Sequence, residues 1–373
     1  MCADFVSADS AAQVRRGAFG LLLRCDADGG VERVRSALAA EPPDAVFAPV
    51  AIAHIAGLRG RRVSKEFGKM MPRLAPALQV LLVEALACRA DKDARAVIRA
   101  QLGAADPGVR QTAIDAVGKL EDESAVAGLV QAFAAAATPE EEKAIQAALA
   151  SLSGGAATDK AIVAAVRRSK GKEQALLVDV LARRGGGAAV PVLLELSGAP
   201  EEQAARAAAQ ALARLADSGD NASLAALQKA VAGDDARTRE VALRALAAWR
   251  GLAAWHTLAG VYAKPASEAQ RALALRGLVR MAGEGNAQPD AALIGRYRQL
   301  LKGAQGDADN KLILTMMGGV AHPDTLVLAL PLLAQAGVHA EAAQAVERIA
   351  QAIQKSHPDA ARDALLKVKG GGH

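Results

Sequence analysis

The sequence predicts an all-α protein, an α-solenoid in which helix pairs stack on one another with a period of about 31 residues. The chain has 373 residues, more than a single compact core usually contains. Hydrophobic residues make up 52% of it but aromatic residues only 2%, so small aliphatic side chains must fill thin layers between close-packed helices. Turn residues recur at intervals of 32, 32, 30, 34, 31, 42 and 30 residues, at Asp106, Thr138, Lys170, Pro200, Asp234, Pro265, Asp307 and Gly337.

Residues 106–120 give the clearest example of the repeated helix. Asp106 is a suitable N-cap, and Pro107 suits the first helical position because its missing N–H needs no partner there. The apolar residues that fall on one face at helical spacing are Val109, Ala113, Val117 and Leu120. Arg110 follows Asp106 by four residues, which predicts an ion pair across the first turn.

The same apolar pattern recurs in seven later helices. The position of Val117 is taken by Leu149, Leu181, Leu212, Leu246, Leu278, Met317 and Val346. The position of Leu120 is taken by Leu152, Leu215, Trp249, Met281, Val320 and Ile349. Arg184 departs from that pattern, and the position of Arg110 keeps arginine only at Arg239 and Arg271. The helices must bury one common face, which a stack of repeats provides.

These helices resemble the second helix of a HEAT repeat, in the short form found in phycobilin-lyase-type bacterial proteins. The segments Arg239–Arg280 and Ala342–Ala352, the latter followed by Ser356-His357-Pro358, also resemble particular bacterial HEAT arrays. Such arrays occur in large multidomain proteins, often beside 3-keto-disaccharide hydrolase or other sugar-active domains. The resemblance covers about residues 70–368 and implies a repeat array without the hydrolase activity, since the chain has no room for that domain.

The repeats divide the chain into three predicted regions. Residues 1–92 are expected to form degenerate HEAT-like repeats or an N-terminal cap, residues 93–368 the HEAT array, and residues 369–373 a flexible tail. In the first region we expect helices over Ser10–Arg24, Val31–Ala40 and Ala45–Leu58, and a helical pair over Met70–Arg89 that is broken near Pro76. Other predicted segments are turns at Asp26–Gly30 and Glu41–Asp44, a basic loop at Arg59–Lys65, and an extended loop within the long unit Glu284–Asp307.

Composition and motifs exclude several classes of site. The net charge is only +5, from 45 basic and 40 acidic residues, which indicates a mixed surface rather than one built for polyanions. The three cysteines and six histidines have no metal-ligand spacing, and no phosphate-binding glycine motif occurs, so we predict no cofactor, no metal and no catalytic residue. No apolar run reaches the roughly 18 residues of a membrane span. The N-terminus lacks a secretion signal, which favours the cytoplasm; an excerpt of a longer chain could instead be periplasmic or extracellular.

An aromatic cluster, formed by Trp249, Trp255 and Tyr262 with His256, is unusual in a chain so poor in rings. It could provide a stacking platform for a base or a sugar. However, Trp249 takes the position of Leu120, and the other two rings take positions that are apolar in a neighbouring repeat. We therefore favour a packing role for these rings.

A basic stripe on the second helices is the better candidate for binding. One position of the expected groove is taken by Gln210, Arg244 and Arg276 in successive repeats. One helical turn later the stripe continues with Arg214 and Arg280. At the first of these positions earlier repeats carry acidic residues, including Asp115 and Asp179. Cations near a helix C-terminus are also favoured by the helix dipole, by about 0.3–1 kcal/mol each, so part of the stripe needs no ligand.

Three functions are compatible with these features. We favour a non-enzymatic scaffold that holds a protein or peptide, with an acidic segment the best match to Arg244 and Arg276. A nucleic-acid binder related to the HEAT-like DNA glycosylases is less favoured, because it needs exposed aromatic residues and a strongly basic groove. A tetrapyrrole lyase or chaperone is suggested only by the repeat subtype, and the chain could also be the non-catalytic part of a larger sugar-active enzyme.

Overall fold

The protein is helical throughout the residues that its computed structural model describes, which are 11–25, 30–283 and 289–370. Within these ranges there are twenty-two α-helices, a few short 3-10 turns and no strand. Helices α1 to α11 are Ala12–Cys25, Gly30–Ala39, Ala48–Ile55, Val63–Gly68, Pro76–Arg89, Lys92–Ala100, Pro107–Leu120, Val126–Ala134, Pro139–Ser151, Gly155–Arg168 and Gly171–Arg184. Helices α12 to α22 are Val190–Ser197, Glu202–Ser218, Asn221–Val231, Ala236–Ala247, Trp255–Ala263, Glu268–Gly283, Ala291–Gly303, Asp307–Met317, Pro323–Ala329, His339–Ile353 and Pro358–Gly370.

The helices group into two compact units, Met1–Arg184 and Gly185–His373. Within each unit, each even-numbered helix from α2 to α20 packs on the odd-numbered helix that comes next in the chain, and successive odd-numbered helices pack on one another. The pairs run from α2/α3 to α10/α11 in the first unit and from α12/α13 to α20/α21 in the second. We call the even member of a pair its first helix and the odd member its second helix. This stacking of helix pairs confirms the predicted fold class.

The repeated apolar positions form the core between stacked helices. All eight residues at the Val117 position are buried, and the most exposed of them, Leu212, shows only 3% of its surface. At the Leu120 position the buried residues are Leu152, Leu215, Trp249, Met281, Val320 and Ile349. Pattern and burial agree because a helix that packs on both neighbours must keep the same face apolar in every repeat.

Arg110 forms a different ion pair from the one predicted. Asp106 caps α7, since its carboxylate accepts a hydrogen bond from the backbone N–H of Val109 at 3.0 Å. The Nε of Arg110 donates instead to Oε1 of Glu141 in the next second helix, at 2.7 Å, and a second nitrogen donates to the carbonyl of Ala104. The hydrogen bond from Arg110 lowers the pKa of the Glu141 carboxyl, so the pair is ionised and joins α7 to α9. The predicted pairing within one turn was wrong because the stacked neighbour offers a buried carboxylate.

Three predicted loops also differ in part. The predicted basic loop ends in a helix, because Val63, Ser64 and Lys65 begin α4. Most of Glu284–Asp307 is helical, since α18 occupies Ala291–Gly303, and residues 284–288 lie outside the described part of the chain. Helix α22 runs through Gly370, so the first two residues of the predicted tail are helical; residues 371–373, like 26–29 of the predicted turn, lie outside the described residues.

Arg184, the exception to the apolar pattern, connects neighbouring repeats. Its side chain is 8% exposed at the end of α11. One guanidinium nitrogen donates to the carbonyls of Leu149, Ala150 and Leu152, at 3.2, 3.2 and 2.6 Å. The Nε donates to Asp159 at 2.8 Å. The guanidinium thus satisfies the carbonyls that the end of α9 leaves without an intrahelical partner.

Replacing Arg184 with alanine is expected to lower the free energy of unfolding by about 2 kcal/mol, because it leaves buried carbonyls and Asp159 without a charged donor. The adjacent Arg183 is the matched control. Its side chain is 53% exposed and pairs with Asp179 within the same helix, so Arg183→Ala should change stability by less than about 0.5 kcal/mol. Urea denaturation followed by circular dichroism measures both, and equal losses for the two variants would contradict the assigned role.

Candidate functional site

The five residues predicted to bind lie on three consecutive second helices of the second unit. Gln210 and Arg214 are exposed on α13, and Arg244 is exposed on α15. On α17, Arg276 is exposed and Arg280 is partly buried. The helices pack in the order α13, α15, α17, so these side chains follow one surface of the unit, which we call the second-helix face.

Arg244 and Arg276 come together at one pocket of about 310 Å³ between α15 and α17. The other residues that line it are Glu240, Ser267, Ala269, Gln270, Ala272 and Leu273. The two arginines are thus brought to one site, as their equivalent positions in neighbouring repeats predicted. Gln210, Arg214 and Arg280 do not line this pocket.

Close approach of the two helices accounts for this arrangement. Gly277 follows Arg276 directly, and a Cβ added there would lie 2.8 Å from the Cα of Ala247 on α15. Such a distance is shorter than carbon atoms tolerate, so any larger residue would push the helices apart. Glycine at this position sets the short spacing that lets Arg276 and Arg244 share a pocket.

The two arginines differ in how their charge is balanced. Arg244 donates to the carboxylate of Glu240, one turn earlier on α15, at 2.6 Å. Both side chains of this pair are more than half exposed. Among the described residues, none forms an ion pair or a side-chain hydrogen bond with Arg276. The sequence explains the difference, because the residue one turn before Arg276 is Ala272.

Arg280 is already engaged within the repeat stack. Its guanidinium donates to the carbonyls of Ala247, at 2.8 Å, and Trp249, at 2.6 Å. These groups lie at the end of α15 and just beyond it, so Arg280 joins the C-terminal ends of α15 and α17. This role resembles that of Arg184, and it leaves Arg280 less able to bind a ligand than Arg244 or Arg276.

The aromatic residues near this site are core residues. Trp249, Trp255 and Tyr262 are 1%, 7% and 4% exposed, whereas His256 is exposed. Burial confirms the packing interpretation and leaves no aromatic face available on this cluster for stacking. Burial, together with the hydrogen bond to Asp309, also raises the pKa of the Tyr262 hydroxyl.

A buried ionic network holds the start of α17, which forms one wall of the pocket. Arg271 pairs with Asp309 on α19, and the two side chains are 8% and 6% exposed. Asp309 also accepts hydrogen bonds from the Tyr262 hydroxyl, at 2.8 Å, and from the backbone N–H of Gln305, at 3.0 Å. The guanidinium of Arg271 also pairs with Glu268, and this hydrogen bond is the main cause that raises the pKa of Arg271.

Sequence reasoning missed four of the polar and apolar residues that shape the pocket. Glu240 could have been found, since a glutamate four residues before an arginine predicts an ion pair on a helix. Gln270, Ser267 and Leu273 carry no comparable signal, because their contribution depends on how α17 packs on α15. In the part of the chain that the structure describes, no three His, Cys, Asp or Glu side chains are placed to hold a metal ion, and no helix has both the length and the apolar character to cross a bilayer.

Comparison with protein-family models identifies the repeat type in one segment. Residues 69–150 match the model of HEAT repeats. This segment runs from the end of α4 through α9 and includes the reference helix α7. It is less than half of the chain. A search of curated protein sequences finds no match.

Solved structures with similar helical arrays share little sequence with this chain. An engineered protein is 17% identical, over 99% of this chain and 97% of that one, with a TM-score of 0.28. Kap121p is 12% identical, over 99% of this chain and 48% of its own, with a TM-score of 0.40. The complex of CpcE and CpcF of phycocyanin lyase from Nostoc sp. PCC7120 is 19% identical, over 81% of this chain and 93% of that one, with a TM-score of 0.23. At these values the similarities carry no argument about function.

Proposed function

We propose that the protein is a non-enzymatic scaffold that binds an acidic segment of another protein, or an acidic peptide, on the second-helix face of its second unit. The observation that carries this proposal is the state of Arg276. Its guanidinium is exposed in a pocket and, among the described residues, no carboxylate forms an ion pair with it. Other exposed arginines on second helices, such as Arg206 and Arg244, have a glutamate one turn earlier.

The chemistry of the pocket favours a carboxylate ligand beside an aliphatic group. An arginine guanidinium can bind a carboxylate with two parallel hydrogen bonds. Leu273, Ala272 and Ala269 supply apolar surface next to it. A peptide with glutamate or aspartate next to a small aliphatic residue would match both features.

Nucleic acid is the less favoured ligand for this face. The aromatic side chains near this face, Trp249, Trp255 and Tyr262, are buried, and Arg280 donates to backbone carbonyls. The proposal retains the expectations that the chain is not an enzyme and acts in the cytoplasm. It also retains the alternative that the chain belongs to a larger bacterial protein with a sugar-active domain.

The proposal predicts that reversing the charge of both pocket arginines weakens ligand binding. The probe is a fluorescein-labelled peptide with two glutamates separated by two alanines, and its Kd is measured by fluorescence anisotropy. Arg244→Glu together with Arg276→Glu should raise the Kd at least tenfold, since both attractive contacts become repulsive. Binding to the unaltered protein should also weaken with salt, because the contacts are exposed.

Arg206→Glu is the control for this experiment. Arg206 is exposed on α13, pairs with Glu202 as Arg244 does with Glu240, and lies outside the pocket. This variant should bind the peptide as the unaltered protein does, and all variants should keep their helicity. The proposed function is wrong if the peptide does not bind, or if the double variant binds as tightly as the control. A duplex DNA that binds more tightly than the peptide, with a much steeper salt dependence, would favour nucleic acid instead.

A further inference from the structure

We propose that Glu240 is an internal competitor for the ligand of this pocket, and that it makes the pocket select ligands with two acidic side chains over ligands with one. This inference rests on the proposed function. It follows from the unequal state of the two arginines: a ligand can reach Arg276 directly but must compete with Glu240 for the guanidinium of Arg244.

The geometry of the Glu240 carboxylate supports competition. Its oxygen accepts from Arg244 at 2.6 Å, and both residues line the pocket that also contains Arg276. Glu240 is 54% exposed and Arg244 is 65% exposed, so neither is held in place by packing and the pair can open without a change in the backbone. The carboxylate of Glu240 therefore uses a donor of Arg244 that a second acidic group of the ligand could otherwise use.

The helix spacing limits which ligands can reach both arginines. Arg244 and Arg276 lie at equivalent positions of helices that pack directly on one another, and the axes of packed helices are about 8–10 Å apart. An extended peptide advances about 3.3 Å per residue. Two acidic residues separated by one or two others can then reach the two guanidinium groups together. A single acidic residue would use Arg276 and leave the Glu240–Arg244 pair closed.

The expected effect of removing the competitor is modest but selective. An exposed pair one helical turn apart changes an equilibrium by about twofold. Repulsion between Glu240 and a second ligand carboxylate adds to this, because like charges at hydrogen-bonding distance from one guanidinium oppose each other. We expect Glu240→Gln to lower the Kd of the diacid peptide at least threefold and to change the Kd of a matched peptide with one glutamate by less.

The experiment compares two variants of equal net charge on two peptides, by fluorescence anisotropy. Glu240→Gln opens the pair inside the pocket, and Glu202→Gln opens the corresponding exposed pair with Arg206 on α13. The two peptides differ only in having two glutamates or one glutamate and one glutamine. The inference predicts that Glu240→Gln lowers the Kd of the diacid peptide more than that of the monoacid peptide. Glu202→Gln should lower the Kd of neither peptide.

The outcomes separate this inference from the function on which it rests. If the diacid peptide binds and the arginine double variant abolishes binding, but Glu240→Gln has no selective effect, the competitor role is wrong and the proposed function stands. An equal fall in Kd for both peptides would mean that Glu240 weakens the binding of any acidic ligand without selecting between them. That result would also overturn the inference. Failure of the unaltered protein to bind either peptide would remove the proposed function itself.

Discussion

Replacing Trp249 with alanine is expected to lower the free energy of unfolding by about 3–5 kcal/mol, the usual loss when a large buried side chain is removed. Trp249 is 1% exposed and is the bulkiest of the fully buried side chains in the described residues. It takes the position that leucine or another aliphatic residue takes in most repeats. The neighbouring backbone cannot close a cavity of that size without displacing stacked helices from their packed positions, so little of the loss should be recovered by relaxation.

The measurement is urea denaturation, with a control from the same segment. Leu252 is 41% exposed three residues later, and Leu252→Ala should change the free energy of unfolding by less than about 0.5 kcal/mol. The backbone carbonyl of Trp249 still accepts from Arg280 in the variant, so the experiment tests the ring alone. A Trp249→Ala protein as stable as its parent that lost binding of a base or sugar would restore the stacking interpretation.

Replacing Arg271 with alanine should destabilise the second unit by about 3–5 kcal/mol near neutral pH. The change leaves the carboxylate of Asp309 buried without its charged partner, and breaking a buried pair in this way is strongly unfavourable. The exposed Arg244 provides the control, and Arg244→Ala should change stability by less than about 0.5 kcal/mol.

Urea denaturation at neutral pH, followed by circular dichroism, measures the loss in both variants. Equal losses for Arg271→Ala and Arg244→Ala would contradict the role assigned to the buried pair.

A second variant separates loss of charge balance from loss of packing. Arg271→Met combined with Asp309→Asn removes both charges while keeping an acceptor for the Tyr262 hydroxyl. It should recover about half or more of the stability lost in Arg271→Ala, since a neutral pair of similar volume avoids the isolated buried charge. If the double variant is no more stable than Arg271→Ala, the network stabilises the unit mainly through side-chain packing and not through charge balance.

The repeats were predictable because the signal that defines them is local. Val117 and Leu246 are buried for the same reason, a face that recurs with helical spacing and packs on both neighbours. The partner of Arg110 was not predictable in this way. Glu141 lies 31 residues away, and its proximity depends on how α7 and α9 stack. Arg184 likewise departs from the apolar pattern in the sequence. Its role follows only from the structure, in which it donates to the carbonyls at the end of α9.

For the candidate site, too, the repeat pattern was predictable from the sequence and the contacts between helices were not. Equivalent positions in neighbouring repeats placed Arg244 and Arg276 side by side, because stacking converts a period in sequence into proximity. The sequence favoured Arg276 over Arg280, but it could not show that Arg280 is already engaged within the repeat stack. That engagement depends on the carbonyl of Ala247, which lies on the adjacent helix and accepts hydrogen bonds from Arg280.

The contacts between α15 and α17 are unevenly distributed along their length. At the C-terminal ends, Arg280 fastens one helix to the other. In the described residues, no hydrogen bond or ion pair joins their first turns: Arg239 donates back to Gly233 and Asp234, and the position that holds Glu141 in α9 holds Gln270 in α17. Helices α17 and α19, by contrast, are joined near their N-terminal ends by Arg271 and Asp309.

In mechanical terms, hydrogen bonds join α15 to α17 at one end. Arg280 and the close approach at Gly277 hold their C-terminal parts together, whereas Ser267 and Gln270 line the pocket at the opposite end. Among the described residues, the width of the pocket at that end is therefore set by side-chain packing and by the anchoring of α17 to α19, and not by a hydrogen bond between α15 and α17.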